Sequence, residues 1–484
     1  MSITGSIANA LSGLNATSRR AEIVSANIAN ANTPGYGVRK LDVSAATVAG
    51  GGSGVRIDGV SRLVDNGIIQ DRRLADASLG DSTTRSAFFA RVEKSIGIPG
   101  TAGSLSGRVA DLEASLISAA SRPDSEPRLH DVLNEARGIT KHLKTASDDV
   151  QTIREEADQD IASNVKRLNG GLQQVREINI AIAATQARGL DGASLEDQRQ
   201  QIIDGIASIV PIRQVPRDNG TVALFTPGGA VLVDSKASVF EFQATGVITP
   251  SMTPSGLLSG LTLNGNPVDT SSSNSMLKSG SLIANFAVRD ELAVEAQSQL
   301  DAVARNLIER FQSPTVDPTL GPLDAGLFTD NGAPLDPAAE LGLSARLQIN
   351  PVTDPQNGGE IRRLRDGLGA TIPGNVGYST QLQRLTSALQ NPQPVTSGSF
   401  SAAERGMSTL VSDLLSEYGT ARQAAEADVA YSNVQHQTFK NLELQSGVDT
   451  DREMQELLLV EQAYAANARV LQTVDKLIQT LIGL

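Results

Sequence analysis

Both ends of the chain carry an apolar stripe with the spacing of a helix that packs along a partner helix. In each stripe the residues step by alternating intervals of four and three, which keeps one helical face in line with its partner. The pattern therefore predicts two terminal helices that meet along a seam. The seam residues are the large side chains of the two stripes: Ile3, Ile7, Leu14, Val24 and Ile28 near the start, and Leu457, Val460, Tyr464, Leu471, Val474, Ile478 and Leu481 near the end. Ala10, Thr17, Ala21 and Asn467 occupy the remaining positions of the four-and-three pattern.

The two ends also carry opposite charge. Residues 1–40 have four basic side chains against one acidic, a net charge of +3, whereas residues 449–484 have six acidic against three basic, a net charge of −3. Opposite charges favour pairing of the two ends and disfavour pairing of like ends. The alternative is that each helix packs only on its own domain.

Composition excludes several classes of protein. The net charge of −13 argues against nucleic-acid binding, which needs basic surface. The absence of cysteine excludes thiol catalysis, disulfides and Cys-based zinc sites. Since no stretch approaches the roughly 20 apolar residues that cross a bilayer, we expect no membrane insertion. The first 30 residues have no compact apolar core, so we expect no cleaved signal peptide.

The apolar pattern predicts a mainly α-helical, elongated subunit of several domains. A stripe that begins at Pro127 and continues to Ala187 predicts one helix about 90 Å long, with its expected kink at Gly170-Gly171. Short alternating runs separated by turn sequences predict a small inserted β domain. The predicted domains are a terminal pair at 1–36 and 449–484, a long helical bundle at 37–212 and 279–448, and an outer β domain at 213–278.

Three shorter segments give local predictions. Alternating residues from Val38 to Leu63 predict an extended segment or hairpin. The run from Ser401 to Gln445 predicts a second long helix. Thr450 followed by Glu453 reads as a capping box that starts the last helix.

The N-terminal helix leads into a predicted tight turn. Pro34 disfavours helical geometry at Thr33, and Pro34-Gly35 suits the centre of a type II turn. Asn27 and Asn30 lie three residues apart on one helix face, where their amides can satisfy the last helical turn or a neighbouring element.

Catalytic patterns are scarce. His130, His142 and His436 lack a third ligand at metal spacing, so we expect them to be solvated or to cap helices. The Gly50 to Gly54 cluster lacks the Gly-Lys-Ser/Thr of a phosphate-binding loop, and no Gly-x-Ser-x-Gly is present. The sequence therefore predicts no catalytic residue, no cofactor and no metal. An active site assembled from distant residues is the open alternative.

The turn segment carries a family resemblance. Asn27, Asn30, Thr33, Pro34, Gly35 and Tyr36 reproduce a motif that resembles the N-terminal signature of the bacterial flagellar rod, hook and hook-associated proteins. Residues 461–468 and the terminal Leu-Ile-Gly-Leu are similar to the C-terminal helix of the same family. Three further segments resemble the members that join hook to filament: residues 194–199, residues 289–290 with 299–300 downstream, and residues 446–449 followed by 451–454.

The resemblance implies a self-assembling structural protein and not an enzyme. The terminal helices would pair into the innermost tube of the flagellum, with the β domain outside. Its implied neighbours are further copies, the hook protein on one side and the second hook-associated junction protein on the other. The resemblance also implies a cytosolic export chaperone on the C-terminal segment, export through the flagellar channel without a cleaved signal, and a location outside the cell at the hook–filament junction.

Other functions remain open at this point. A hook protein or a second junction protein would share the terminal motifs, although a hook protein should have a β-dominated middle. A helical-bundle enzyme would need a charged, Gly-rich catalytic loop, which the sequence lacks. A coiled-coil adhesin or secretion translocator would normally carry a long apolar segment.

Overall fold

Helices make up most of the described chain, which confirms the mainly α-helical class. The computed structural model describes residues 3–48, 51–98, 100–101, 103–254, 256–271, 275–400 and 403–483. The helices are α1 (Ile3–Ala29), α2 (Asn66–Ile96), α3 (Leu105–Ser121), α4 (Glu126–Ala187), α5 (Ala193–Ala207), α6 (Ser281–Ala287), α7 (Ala293–Gln312), α8 (Leu343–Arg346), α9 (Arg363–Asp366), α10 (Thr380–Gln390), α11 (Met407–Gln445) and α12 (Thr450–Ile482).

The strands form small antiparallel sheets. They are β1 (Val38–Val48), β2 (Gly51–Leu63), β3 (Arg213–Pro216), β4 (Val222–Phe225), β5 (Val231–Val233), β6 (Phe240–Glu241), β7 (Leu261–Leu263), β8 (Asn266–Val268), β9 (Phe328–Asp330) and β10 (Leu347–Ile349). The sheet orders are β1-β2, β3-β4-β5, β6-β7-β8 and β10-β9. The predicted hairpin is present, since Val38 pairs with Leu63. Asn264 and Gly265 both have positive φ in the turn between β7 and β8, as a type I′ turn requires.

The long helix α4 runs through both buried clusters of the structure. Its 62 residues are one helix with Pro127 in its first turn, and at 1.5 Å per residue it spans about 90 Å. The helix is continuous through Gly170-Gly171, where the sequence predicts a kink, and the kink itself stays a prediction. A Cβ atom on Gly171 would lie 2.7 Å from Ile206 Cγ2, so this glycine allows α5 to approach α4 closely.

Two clusters of buried side chains lie along α4. The first joins α4 from Leu129 to Ala157 with α2, α3, α7, α10 and α11. The second joins α4 from Ile161 to Val175 with α5, α6 and the strands β4 to β8. The strands therefore share a core with the helix that they pack on. The division at 213–278 from the segments 37–212 and 279–448 stays a prediction.

A buried ion pair joins Arg289 to α4, and the same carboxylate also binds the inserted segment at Thr245. Arg289 Nη1 donates to Asp158 Oδ1 at 2.6 Å, and both side chains are almost fully buried. Asp158 Oδ2 also accepts from the backbone N–H of Thr245 at 2.5 Å. The Arg289 guanidinium lies over the rings of Phe242 and Phe286, 5.4 and 5.0 Å from their centroids. Arg289 lies in a short π-helical turn, Val288–Leu292, between α6 and α7.

Two sequence-based details are wrong. The cap of α12 is Asp449, whose side chain accepts from the N–H groups of Asp451 and Arg452. Glu453 points to α1 instead of closing a capping box, because its carboxylate is held by a residue of that helix. The helix predicted from Ser401 begins at Met407, and Ser401 itself lies outside the described residues.

Substitution of Asp158 by Asn should destabilise the part of the chain that packs around α4, which we call the body. The neutral amide leaves the buried Arg289 charge with less compensation, and we expect the free energy of unfolding to fall by about 3 kcal/mol. Urea denaturation measures the change. The matched control is Asp148→Asn, an exposed position on the same helix, and an equal effect of the two substitutions would contradict the role of the ion pair.

Candidate assembly site

The two terminal helices pack on each other as an antiparallel pair. Gly13 of α1 faces Asn467 of α12, and a Cβ atom at Gly13 would lie 2.8 Å from Asn467 Nδ2. Further along, Arg20 Nε donates to Glu456 Oε1 at 2.6 Å. The partner number on α12 falls as the number on α1 rises, which defines the antiparallel direction. The start of α1 and the end of α12 therefore lie together at the tip of this pair, which we call the arm.

The structure covers the predicted seam only in part. Val24, Val460 and Val474 are buried, whereas Ile3 is 36% exposed and Tyr464 is 50% exposed. The half-buried seam residues are Ile7, Leu14, Ile28, Leu457, Leu471 and Ile478. The side chain of Leu481 lies outside the described part of the chain. One copy alone thus leaves apolar seam surface accessible, and the role of these residues in assembly stays a prediction.

Asn27 lies at the base of the arm, the end where α1 leads into the turn and α12 begins. Its side chain is 1% exposed. Nδ2 donates to the carbonyl of Arg39 at 2.9 Å and to Glu453 Oε2 at 3.1 Å, while Oδ1 accepts from Tyr36 Oη at 2.8 Å and from the Arg39 N–H at 3.0 Å. An amide is the side chain that supplies two donors and an acceptor with two lone pairs. Asn27 therefore ties α1, the following turn, β1 and α12 together.

The other motif residues build the predicted turn. The Tyr36 N–H donates to the Thr33 carbonyl at 3.2 Å, and Gly35 has a φ of 77°. Pro34 and Gly35 thus occupy the centre of a type II turn, where the third residue needs positive φ. Asn30 Nδ2 donates to the Ala26 carbonyl at 2.9 Å and so satisfies the last turn of α1.

Helix α5 holds this turn from the other side. Asp197 Oδ1 accepts from the Gly37 N–H at 3.0 Å and from Arg62 Nε at 2.6 Å, and Asp197 Oδ2 accepts from Arg39 Nη2 at 3.1 Å. Gln201 Nε2 donates to the Pro34 carbonyl at 2.7 Å. Sequence reasoning noticed residues 194–199 only as a resemblance, because nothing in their local pattern identifies a partner more than 130 residues away.

An ion-pair network continues from α5 into the body. Arg72 of α2 pairs with Asp204 and Asp76 at 2.7 Å, and also with Glu443 of α11. Burial alone would lower the pKa of Arg72, but these carboxylates outweigh burial and raise it. Gln200 Nε2 donates to Glu443 Oε1 at 3.1 Å, which links the network to α5. The base of the arm is therefore fixed to three helices of the body.

Burial also affects titration at the base. Desolvation raises the pKa of Glu453, although the hydrogen bond from Asn27 acts in the opposite direction. Desolvation likewise raises the pKa of Tyr36, against the lowering effect of Arg39. Burial thus disfavours the charged form of both groups.

Two of the three histidines contact a neighbouring helix. His142 Nε2 lies 2.9 Å from the carbonyl of Ile96 and caps the C-terminus of α2. His436 Nδ1 lies 2.6 Å from Asp76 Oδ1, and His130 is exposed. Within the described ranges, no group of three or more His, Asp or Glu side chains is arranged to hold a metal ion. Nor is any helix of those ranges both long and apolar enough to cross a membrane.

Three family models match this chain, two of them at the terminal arm. Residues 7–36 match the flagella basal body rod protein family. Residues 444–484 match the C-terminal region of the flagellar basal body rod FlgEFG proteins. Residues 89–313, in the body, match the helical domain of the flagellar hook-associated protein FlgK. The sequence motifs at both ends and the long-helix middle thus lie within matched segments.

Individual relatives agree with these models. The chain is 28% identical to flagellar hook-associated protein 1 of Salmonella typhimurium, over 48% of this chain and 43% of that protein. The chain therefore spans less than half the length of that relative. It is 23% identical to the protein of the same name from Escherichia coli K12, over 99% of both chains. The corresponding Bacillus subtilis protein is 22% identical over 94% of this chain and 93% of the relative.

A solved structure also resembles the chain. It is the flagellar hook junction protein FlgK from Burkholderia pseudomallei, with 18% sequence identity and a TM-score of 0.45. The match covers 55% of this chain and 47% of that one.

Substitution of Asn27 by Ala should loosen the base of the arm. The change leaves buried partners on Tyr36, Arg39 and Glu453 unsatisfied, which should cost about 2–3 kcal/mol. Hydrogen exchange of the α12 amides near Glu453 measures the loss as faster exchange. Asn15→Ala, at an exposed position of the same helix, serves as the control, and equal exchange in both variants would contradict the connecting role.

Substitution of Glu453 by Gln should stabilise the pair at neutral pH. The native pKa of Glu453 lies above its ordinary value of 4.5. The favourable contribution of Glu453 to the free energy of unfolding is therefore complete below its unfolded-state pKa. It is lost as the pH rises through the native pKa. Hydrogen exchange should show stronger protection of α12 in the Gln variant at pH 7, with the difference from the native chain shrinking toward pH 4. The control is Glu461→Gln, at an exposed position of the same helix. If the difference in protection between Glu453→Gln and the native chain were the same at pH 7 and pH 4, burial of Glu453 would be refuted as its cause.

Proposed function

This chain belongs to the flagellar hook-associated protein family, and from that premise we propose that it is a structural adaptor that joins hook to filament. The observation that carries the proposal is the antiparallel arm of α1 and α12, whose apolar seam is only partly covered within one copy. Partly covered helix pairs gain stability by packing on neighbours. Assembly through the arm therefore buries surface that a single copy exposes.

The proposed domains keep the bounds predicted from the sequence. Residues 1–36 and 449–484 form the terminal assembly domain, because α1 and α12 pack on each other. Residues 37–212 with 279–448 form the helical body, and residues 213–278 form a small outer β domain. The fixed base of the arm supports a mechanical role, since forces on the terminal pair reach α2, α5 and α11 through buried polar contacts.

The proposed partners come from the family and from the resemblance of the termini. They are further copies of the chain, the hook protein on one side and the second hook-associated junction protein on the other. A cytosolic chaperone would bind the C-terminal segment before export through the flagellar channel without a cleaved signal. The protein would then reside outside the cell at the hook–filament junction, as a structural subunit and not an enzyme.

Replacing both Leu471 and Ile478 by Asp should abolish incorporation into flagella. The two charges lie on the seam, so they oppose packing of the arm while the body, with its separate cores, remains folded. Immunoblots of flagella isolated from cells that contain only the variant measure incorporation. Circular dichroism of the purified protein checks that the body keeps its helices.

The matched control replaces Gln472 and Gln479 by Asp, one position further along the same helix. These side chains are exposed, and the added charge is identical. The control should be incorporated normally. Normal incorporation of the seam variant, or equal loss in both variants, would overturn the assembly role of the seam.

A further inference from the structure

A second apolar stripe runs along α12 beside the seam. Each of its residues stands one position before a residue of the four-and-three pattern that forms the seam. The second stripe therefore repeats at the same intervals. We call these residues the α12 stripe: Leu459, Ala463, Ala466, Val470, Thr473 and Leu477, all exposed. The three large members are between 43% and 65% exposed. An uncharged heptad face on a helix that already has one partner indicates that α12 packs on a second element.

The exposed side of α1 is mostly polar, with Leu11, which is 53% exposed, as its large apolar member. Asn15, Ser18, Arg19 and Glu22 lie there and are exposed. A polar and charged face cannot cover an apolar stripe without losing its own hydration. The outer side of α1 is therefore not the element that the α12 stripe requires.

The hairpin of β1 and β2 does present an unpartnered apolar surface. Val43 pairs across the strands with Ile57, and Ala45 pairs with Val55. We call these four exposed residues the hairpin face. Side chains alternate between the two sides of a strand, and the opposite side of the hairpin lies on α1. There, the Val55 N–H donates to Ser12 Oγ at 3.1 Å, and Gly54 lies too close to Ser12 to allow a side chain.

The hairpin face and the α12 stripe lie on different sides of α1. Ser12 contacts the hairpin, whereas the next residue, Gly13, contacts Asn467 of α12. Consecutive residues of a helix point about 100° apart, so the hairpin and α12 lie on different faces of α1 here. Both surfaces are exposed in the single copy, so they do not cover each other there, and a contact between them would join two copies.

We propose that the hairpin face of one copy packs on the α12 stripe of the next copy. The proposal rests on the assembly role given above and names the surfaces that assembly uses. Residues 1–63 carry a net charge of +3 and residues 450–482 a net charge of −2, so charge favours this contact over packing of α12 on α12. Since the two surfaces differ, the contact is heterologous and repeats from copy to copy.

Disulfide cross-linking tests the contact directly, because the native chain contains no cysteine. Cells produce two versions of the chain together, one with Val43→Cys or Ile57→Cys and the other with Leu459→Cys, Val470→Cys or Leu477→Cys. Isolated flagella are then oxidised mildly and examined for cross-linked dimers. The control combines Ile57→Cys with Tyr431→Cys, an exposed position on α11.

At least one hairpin–stripe combination should give about tenfold more dimer than the control, since a disulfide needs Cα atoms within about 7 Å. Dimers formed only between two stripe cysteines would show α12 packed on α12 and overturn the proposal. Absence of dimers with the chain present in the flagella would overturn it too. Absence of the unsubstituted chain from the flagella, seen by immunoblot, would instead refute the proposed function itself.

Discussion

The geometry of the termini depends on one buried amide. Asn27 makes four hydrogen bonds with partners on the turn, on β1 and on α12. A buried polar group whose hydrogen bonds are all made permits one arrangement of its neighbours, because any other arrangement leaves a donor or acceptor unsatisfied. The amide therefore fixes where α12 meets α1 and how the chain leaves the arm toward the body.

From this amide, polar contacts run into the body in a continuous series. Arg39 links Asn27 to Asp197, which also holds Arg62, and α5 then connects to α2 and α11 through Arg72. Buried ion pairs add little net stability, because desolvation offsets much of their attraction. Their geometry is strict, however, and this suits an arm that must keep a defined direction relative to a long subunit.

Polar and apolar contacts thus have separate roles. Buried polar clusters, at Asn27 and at the Arg289–Asp158 pair, join segments that are distant in sequence. Apolar faces on the arm, by contrast, remain partly uncovered in the single copy. Apolar packing is tolerant of small shifts, whereas a hydrogen-bonded cluster is not. An adaptor between two different polymers would need a rigid base and a more adaptable assembly surface.

Periodicity and turn chemistry are local properties, and the sequence determined them by itself. The terminal stripes, the 62-residue helix α4, the Val38–Leu63 hairpin and the type II turn at Pro34-Gly35 could all be predicted, because each depends on residues close in the chain. Only the tertiary structure decided the antiparallel direction of the arm, the partner of Asn27 on α12 and the role of Asp197. It also replaced the capping box at Thr450 by a cap at Asp449, since Glu453 is drawn to Asn27. These contacts join residues more than 130 positions apart, and no local spacing can encode which of many polar side chains will meet when the helices pack.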